Sequence, residues 1–347
     1  MAKLKTGAQS LNWLEQKVHR YERMRWSQEP NRRTLPFAWG VEHILPSPNG
    51  ADPHTLLDRF AAETIPTSDA WFAATPAGDY ELENNILTFT SQLVSPWPAN
   101  NRVHAQFFPG RKPRAAVVVL AQWNARWDEQ HGVCRWLNRL GLTAVKMSLP
   151  YHDRRSIPGY PRADHLVSPN IGLTIQANRQ AVLDVKRVLR WLESQGYDRL
   201  GLVGTSIGSC IAFITMCHEP AIRAGAFLHV STYFGAVVSQ GLTTMHVWDA
   251  MKQHVSRDEA IRYWSPISPF AYIPKLRATN RKILAITGRY DPTFSPQLTK
   301  EFLAELRRND VPFGHMNLPC GHYSLGVAPF SHAAGYRFGT FLSKALA

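Results

Sequence analysis

Residues 201–210 read GLVGTSIGSC, between a short apolar run and a longer one. They contain Gly204-Thr205-Ser206-Ile207-Gly208, a serine between two glycines where a strand pattern gives way to a helix pattern. One reading is a nucleophile elbow, in which a strained backbone aims the serine Oγ away from the sheet. Strand and helix approach closely there, so the flanking positions must lack a Cβ. Gly204 and Gly208 meet that need. A helix starting at Ile207 would also turn its positive end toward the site. The bland reading is a glycine-rich connection with an incidental hydroxyl.

The surrounding pattern favours the elbow. NILTFTSQL and RVHAQFFPG read as an alternating strand pair, and AAVVVLAQW as an apolar strand. EQHGVCRWLNRLG is a helix, LTAVKMSLP a strand, and QANRQAVLDVKRVLRWLESQG a helix with an apolar stripe and a C-terminal glycine. Strands RLGLVG, IRAGAFLHVS, RKILAITG and FGHMNLPCGH follow, with helices between and after them. This alternation predicts an α/β fold with a mostly parallel sheet covered by helices on both faces. Sites in such sheets gather at the carboxyl ends of the strands. Residues 231–280 hold Trp248, Tyr263, Trp264, Phe270 and Tyr272 and are too long for a plain connection, so a small cap is expected. Residues 1–85 form a helical and extended segment ahead of the main domain at 86–347. Leu11, Leu14, Val18 and Tyr21 make a helical stripe there, read as packing on the domain, with an anionic membrane surface as the less favoured partner.

A serine needs a base, and the base an orienting carboxylate. Asp291 follows the strand RKILAITG, and His322 follows the strand after it. The order Ser206, Asp291, His322 is the one this fold requires. Each has a plain alternative, a turn or cap for Asp291 and a loop histidine for His322. Ser209, Asp310, His315 and His332 are weaker substitutes. The oxyanion calls for two backbone donors: Ile207 N–H, and one after AVVVL, where Trp123 is expected with Gln122 next.

The bulk numbers narrow the function classes. Among 347 residues the net charge is +13, but the basic residues come as scattered pairs such as Arg32-Arg33 and Arg307-Arg308. Without a zinc-finger, RNA-binding or basic-region pattern this is a solvated surface, and nucleic acid is not an expected partner. The four cysteines form no CxxC pair and no HExxH is present, so buried free thiols and no metal or cofactor are expected. No apolar run is long enough to span a membrane, and MAKLKTGAQSLNWLEQK has no signal-like apolar core, which gives a cytoplasmic expectation.

The elbow and the two partners resemble the α/β-hydrolase superfamily over roughly residues 86–347. The resemblance implies an eight-stranded sheet, a Ser206–His322–Asp291 triad and no cofactor. PFAWGVEHI, SLPYHDRRS and the long N-terminal segment are similar to the α/β-hydrolase domain-containing protein 18-like branch. LAQWN departs from the His-Gly or glycine-rich oxyanion loop of many relatives. The expected activity is hydrolysis of a small-molecule carboxyl ester. Thioesterase, acyltransferase or peptidase chemistry on the same residues is the alternative, as is a non-catalytic membrane-peripheral protein on this fold. In LPYHDRRSIPGY, Tyr151, Arg154 and Arg155 are candidate substrate contacts, with Trp248 from the cap. The rival reading has an arginine pinning the loop through a nearby acid.

Overall fold

The computed structural model describes residues 12–29, 31–45 and 50–347. Helices α1 (Trp13–Ser27), α2 (Pro53–Thr64) and α3 (Ser68–Trp71) precede the sheet. Asn12 and Asp52 cap the first two, each side chain accepting a backbone N–H three residues on. Leu56, Leu57, Phe60 and Phe72 of this segment are buried in the same core as the sheet. Of the expected stripe, Val18 is buried and Leu14 exposed, and Leu11 lies outside the described residues.

The strands are β1 (Glu81–Glu83), β2 (Ile86–Thr90), β3 (Arg102–Phe108), β4 (Ala115–Leu120) and β5 (Thr143–Met147). They continue as β6 (Arg199–Thr205), β7 (Ile222–Leu228), β8 (Lys282–Gly288) and β9 (Gly314–Leu318). Among the described residues they form one sheet, in the order β1-β2-β3-β5-β4-β6-β7-β8-β9. It has nine strands where eight were expected. The extra one, β1, is a short exposed ribbon joined to β2 by Asn84 and Asn85, both with positive φ. Asparagine tolerates that conformation, which suits a tight hairpin turn. The boundary expected at residue 85 therefore falls inside the first hairpin. β1 to β3 are antiparallel, as is the β3–β5 pair; the rest of the sheet is parallel.

Helix α4 (Pro98–Asn101) leads into β3, and α5 (His131–Arg139) joins β4 to β5. Helix α6 (Ile171–Ser194) then crosses back, and α7 (Ile207–Cys217) follows β6. α6 starts at Ile171 instead of Gln176, because the Asn170 side chain caps Leu173 N–H. α5 packs on one face of the sheet and α6 and α7 on the other. The chain thus leaves β4 toward one edge and returns to β6 on its other side. That is a topological switch point, and such points open a crevice at the strands' carboxyl ends.

Between β7 and β8 lie α8 (Phe234–Gln240), α9 (Met245–Met251) and α10 (Arg257–Tyr263), followed by 3-10 turns to Leu276. Ser256 and Glu259 cap α10 reciprocally. Helices α11 (Pro296–Arg308) and α12 (Phe330–Ala345) complete the fold, with α12 beside α5. Among the described residues no helix is long and apolar enough to cross a membrane. All four cysteines are free and buried.

Candidate active site

β6 ends at Thr205 and α7 begins at Ile207, leaving Ser206 as the joint, with φ 56° and ψ −126°. Such a conformation is costly for a residue with a side chain. The glycines explain how the joint closes. A Cβ on Gly204 would collide with Gly208 O, and one on Gly208 with the carbonyls of Leu120 and Ala121. Ser206 Oγ lies 2.9 Å from His322 Nε2. His322 Nδ1 lies 2.9 Å from Asp291 Oδ2. Asp291 Oδ1 accepts the N–H groups of Thr293 and Phe294 at 2.7 and 2.9 Å, which orients the carboxylate. The Phe294 ring stacks on the His322 imidazole at 5.2 Å.

The electrostatics follow from these contacts. Burial alone would raise the Asp291 carboxyl, but His322 and His229 outweigh it and hold it well below the usual range. Burial disfavours the charged form of His322, but the Asp291 carboxylate overcomes this and holds the imidazole above its ordinary value. The substitutes lie elsewhere. Ser209 Oγ is buried and bonded to Ser206 O and His229 O. Asp310 pairs with Arg277 at 3.2 Å, His315 Nε2 meets Thr287 Oγ1, and His332 is exposed.

Two residues at the site escaped sequence reasoning. His229 follows β7, is buried, and puts Nδ1 2.8 Å from Asp291 Oδ2, so one carboxylate oxygen faces two imidazoles. It sits just past a strand's carboxyl end in FLHVS, the same signal that singled out Asp291 and His322. Glu22 has no such signal. It is buried on α1 and accepts Tyr323 N–H at 2.7 Å, Ser324 N–H at 2.9 Å and Ser324 O–H at 2.7 Å. The N-terminal helix thereby grips the loop that carries His322.

Beside Ser206 lie Ile207 and the loop after β4, where the oxyanion donors are expected. Ile207 is the first helical residue, so its N–H has no intrahelical acceptor. Asn124 N–H donates to His152 Nε2 at 2.8 Å, while His152 Nδ1 lies 2.9 Å from Pro150 O. Burial pushes His152 down to about 4, so it is the neutral acceptor this bond needs. Asn124 Oδ1 accepts Ala163 N–H, and Trp123 Nε1–H donates to Ala163 O. Gln122 is tied through its side chain to Glu129 and Gln130.

The expected substrate contacts are not at the site. Arg155 is fully buried and bonds Asp184 Oδ2 at 2.8 Å, Ser148 O at 3.0 Å and Asn100 O at 2.7 Å. It pins the loop, as the rival reading has it. Tyr151 is buried against Trp97 and His165. Arg154 is exposed and lies over the Trp127 ring. Trp248 packs against the core and lines neither cavity beside Ser206. Tyr263 and Trp264 are likewise core, and the cap residues that line a cavity with Ser206 include Tyr233, Phe234, Val237, Val238, Thr243 and Pro269. Cap aromatics serve mainly as anchors because large rings near the core gain most from complete burial.

One group among the described residues, His229, Asp291 and His322, has its ligand atoms within 4.8 Å of one another. Both Nδ1 atoms lie within 2.9 Å of the same carboxylate oxygen, His322 through a hydrogen bond and His229 as a close contact.

A model of the prolyl oligopeptidase family matches residues 174–327. Two uncharacterised proteins of Mycobacterium tuberculosis, one each from strains CDC 1551 and H37Rv, are 31% identical over 137 residues. That stretch is 38% of this chain and 33% of each relative, so the chain spans about a third of the length of the curated relatives it matches. The Pyrococcus furiosus esterase Pf2001 superposes with a TM-score of 0.55 at 15% identity, covering 78% of this chain and 93% of that one. A puromycin-hydrolyzing peptidase of Mycobacterium tuberculosis gives a TM-score of 0.57 at 14% identity, over 75% of this chain and 39% of that one. At such identities the likeness establishes the fold and leaves the reaction to the site.

Proposed function

We propose that this chain, which has the α/β-hydrolase fold, is a serine hydrolase that cleaves a carboxyl ester through an acyl-enzyme on Ser206. The observation that carries the reading is the unbroken line from Ser206 Oγ through His322 to Asp291, with both contacts at 2.9 Å. Neutral His322 takes the Ser206 proton as Oγ bonds to the ester carbonyl carbon. The negative oxygen is held by the N–H groups of Ile207 and Trp123, with Gln122 as the neighbouring donor. His322 then gives its proton to the departing alcohol as the carbon–oxygen bond breaks. Water, deprotonated by His322, attacks the acyl carbon. The acid leaves, the proton returns to Ser206, and no cofactor takes part.

Amide cleavage is the second reading, favoured by the match to the prolyl oligopeptidase family model and by the peptidase among the similar structures. The same residues would serve, with an amine as leaving group. Labelling by a fluorophosphonate, followed by paired esters and anilides of one acyl group, tests both. Wild type should label and should turn over the ester faster. Ser206→Ala should lose labelling and several orders of magnitude of turnover. Undiminished turnover in that variant would sink the reading, and faster anilide cleavage would favour the peptidase.

A further inference from the structure

Two cavities of different size and character meet at Ser206. The larger, about 520 Å³, is lined by Ser206, His322 and His229, with Arg25, Glu29, Gln122 and Glu129 on its polar part and Leu228, Val327 and Phe338 on its larger apolar part. The smaller, about 50 Å³, is lined by Ser206 and Ile207 and does not reach His322. Its remaining wall is mostly apolar, with Val237, Val238, Phe234 and Phe294 among the residues. Trp123 and Thr243 also line both.

Tetrahedral geometry distinguishes their occupants. Around the attacked carbon one bond goes to Oγ and one to the oxyanion. The leaving oxygen must face the group that protonates it, which is His322. The acyl chain takes the fourth direction. A cavity touching both Ser206 and His322 therefore holds the leaving group, and a cavity touching Ser206 and Ile207 alone holds the acyl chain. A dry cavity of about 150 Å³ accommodates a benzene ring, so about 50 Å³ accommodates about two carbons. Ligand sites of about 300–1,000 Å³ hold whole small molecules, which is the scale of the larger cavity. Its charged residues, Arg25, Glu29 and Glu129, are of mixed sign and share the wall with a larger apolar portion that includes Leu228, Leu325, Val327 and Phe338. Such a wall, without a cluster of one charge, suits an uncharged alcohol with both an apolar and a hydroxyl-bearing part.

Resting on the ester-hydrolase reading above, we infer that the substrate is a short-chain acyl ester, of two to four acyl carbons, of a bulky, uncharged alcohol of sugar-like size that carries both apolar and hydroxyl-bearing parts. The larger cavity receives the alcohol, and the Val237–Val238 wall limits the acyl chain.

Nitrophenyl esters of acetate, butyrate and octanoate test the acyl side. kcat/KM should be highest for acetate or butyrate and at least about tenfold lower for octanoate, since about 1.4 kcal/mol of steric cost suffices for that factor. Val237→Ala should raise the octanoate-to-acetate ratio several-fold, and wild-type ratios decide the matter alone if that variant does not fold. On the alcohol side, an acetylated alkyl glucoside should exceed ethyl acetate in kcat/KM by about tenfold or more. Equal or better use of octanoate, or no gain from the glucoside, would overturn the inference while labelling at Ser206 still stood. Absence of both labelling and hydrolysis would overturn the ester-hydrolase reading and the inference with it.

Discussion

In the proposed reaction the Ser206 proton passes to a neutral imidazole, so activity depends on the charge of His322. The Asp291 carboxylate holds His322 above the ordinary histidine range. Below that raised value the imidazole is already protonated and cannot act as base. The rate should therefore rise with pH, with a midpoint above about 6.5, the ordinary histidine value. Asp291→Asn removes the charge that raises it. Its midpoint should fall, and turnover should drop by about two to four orders of magnitude. A pH–rate profile of both proteins reads the two effects together, and an unmoved midpoint would remove Asp291 from its assigned part. His229 Nδ1 lies 2.8 Å from the same carboxylate oxygen, and in the proposed reaction it is a positioning residue that acts through Asp291. His229→Phe removes the imidazole dipole beside that oxygen and should cost about tenfold in kcat, which corresponds to about 1.4 kcal/mol. Because the carboxylate then concentrates its charge on His322, the acidic limb should also move upward. A change in thermal stability alone, with the limb unmoved, would make His229 purely structural.

At the scale of elements, the decisive contact is α1 on the His322 loop. Glu22 collects three donors from Tyr323 and Ser324, and a Cβ on Gly321 would stand 2.6 Å from the Glu22 carboxyl carbon. The helix and the loop are therefore fitted to each other. Glu22→Ala leaves those donors without their acceptor, a cost of about 1–3 kcal/mol for each buried group left unpaired. The loop should loosen, so fluorophosphonate labelling should slow by about ten- to a hundredfold, with kcat falling more than KM rises. Normal labelling in a folded Glu22→Ala protein would reduce α1 to packing. Most elements on the sheet were legible because each carries its own period and its own stop: the apolar stripe of α6 and the positive φ of Gly196 after it, the apolar runs of β4 and β6. β1 was not legible, since three exposed residues on an edge hairpin have no pattern to display.

Across the whole molecule a buried polar network joins the antiparallel edge to the parallel core. Ser91 Oγ donates to Asp184 Oδ1 at 2.6 Å, Arg155 bridges Asp184 and Asn100 O, and Asn100 Nδ2 donates to Gln180 Oε1 at 2.8 Å. Arg155 and Asp184 are fully buried, and burial pushes the Asp184 carboxyl up despite the arginine. Arg155→Ala would strand that acid, and breaking a buried pair on one side costs about 3–5 kcal/mol. Chemical denaturation should show a loss of this order, with neutral and anionic esters affected alike. A selective loss on the anionic ester, at unchanged stability, would restore Arg155 to the substrate.

The sequence by itself determined the fold class, the elbow and the order of Ser206, Asp291 and His322. Alternating strand and helix periods are local, and strand carboxyl ends are the places where such a sheet leaves room for chemistry. Only the tertiary structure decided what surrounds them. Glu22 meets Ser324 across 302 residues of chain, and His229 shares Asp291 with His322 from a different strand. Arg155, Tyr151 and Trp248 had the chemistry of substrate contacts, and packing turned the first two into the core and kept the third off the cavities. A side chain's type and its place along a strand or loop are written locally. The direction in which it points, and whether an unpaired charge lies within reach, depend on segments that meet only when the chain closes on itself.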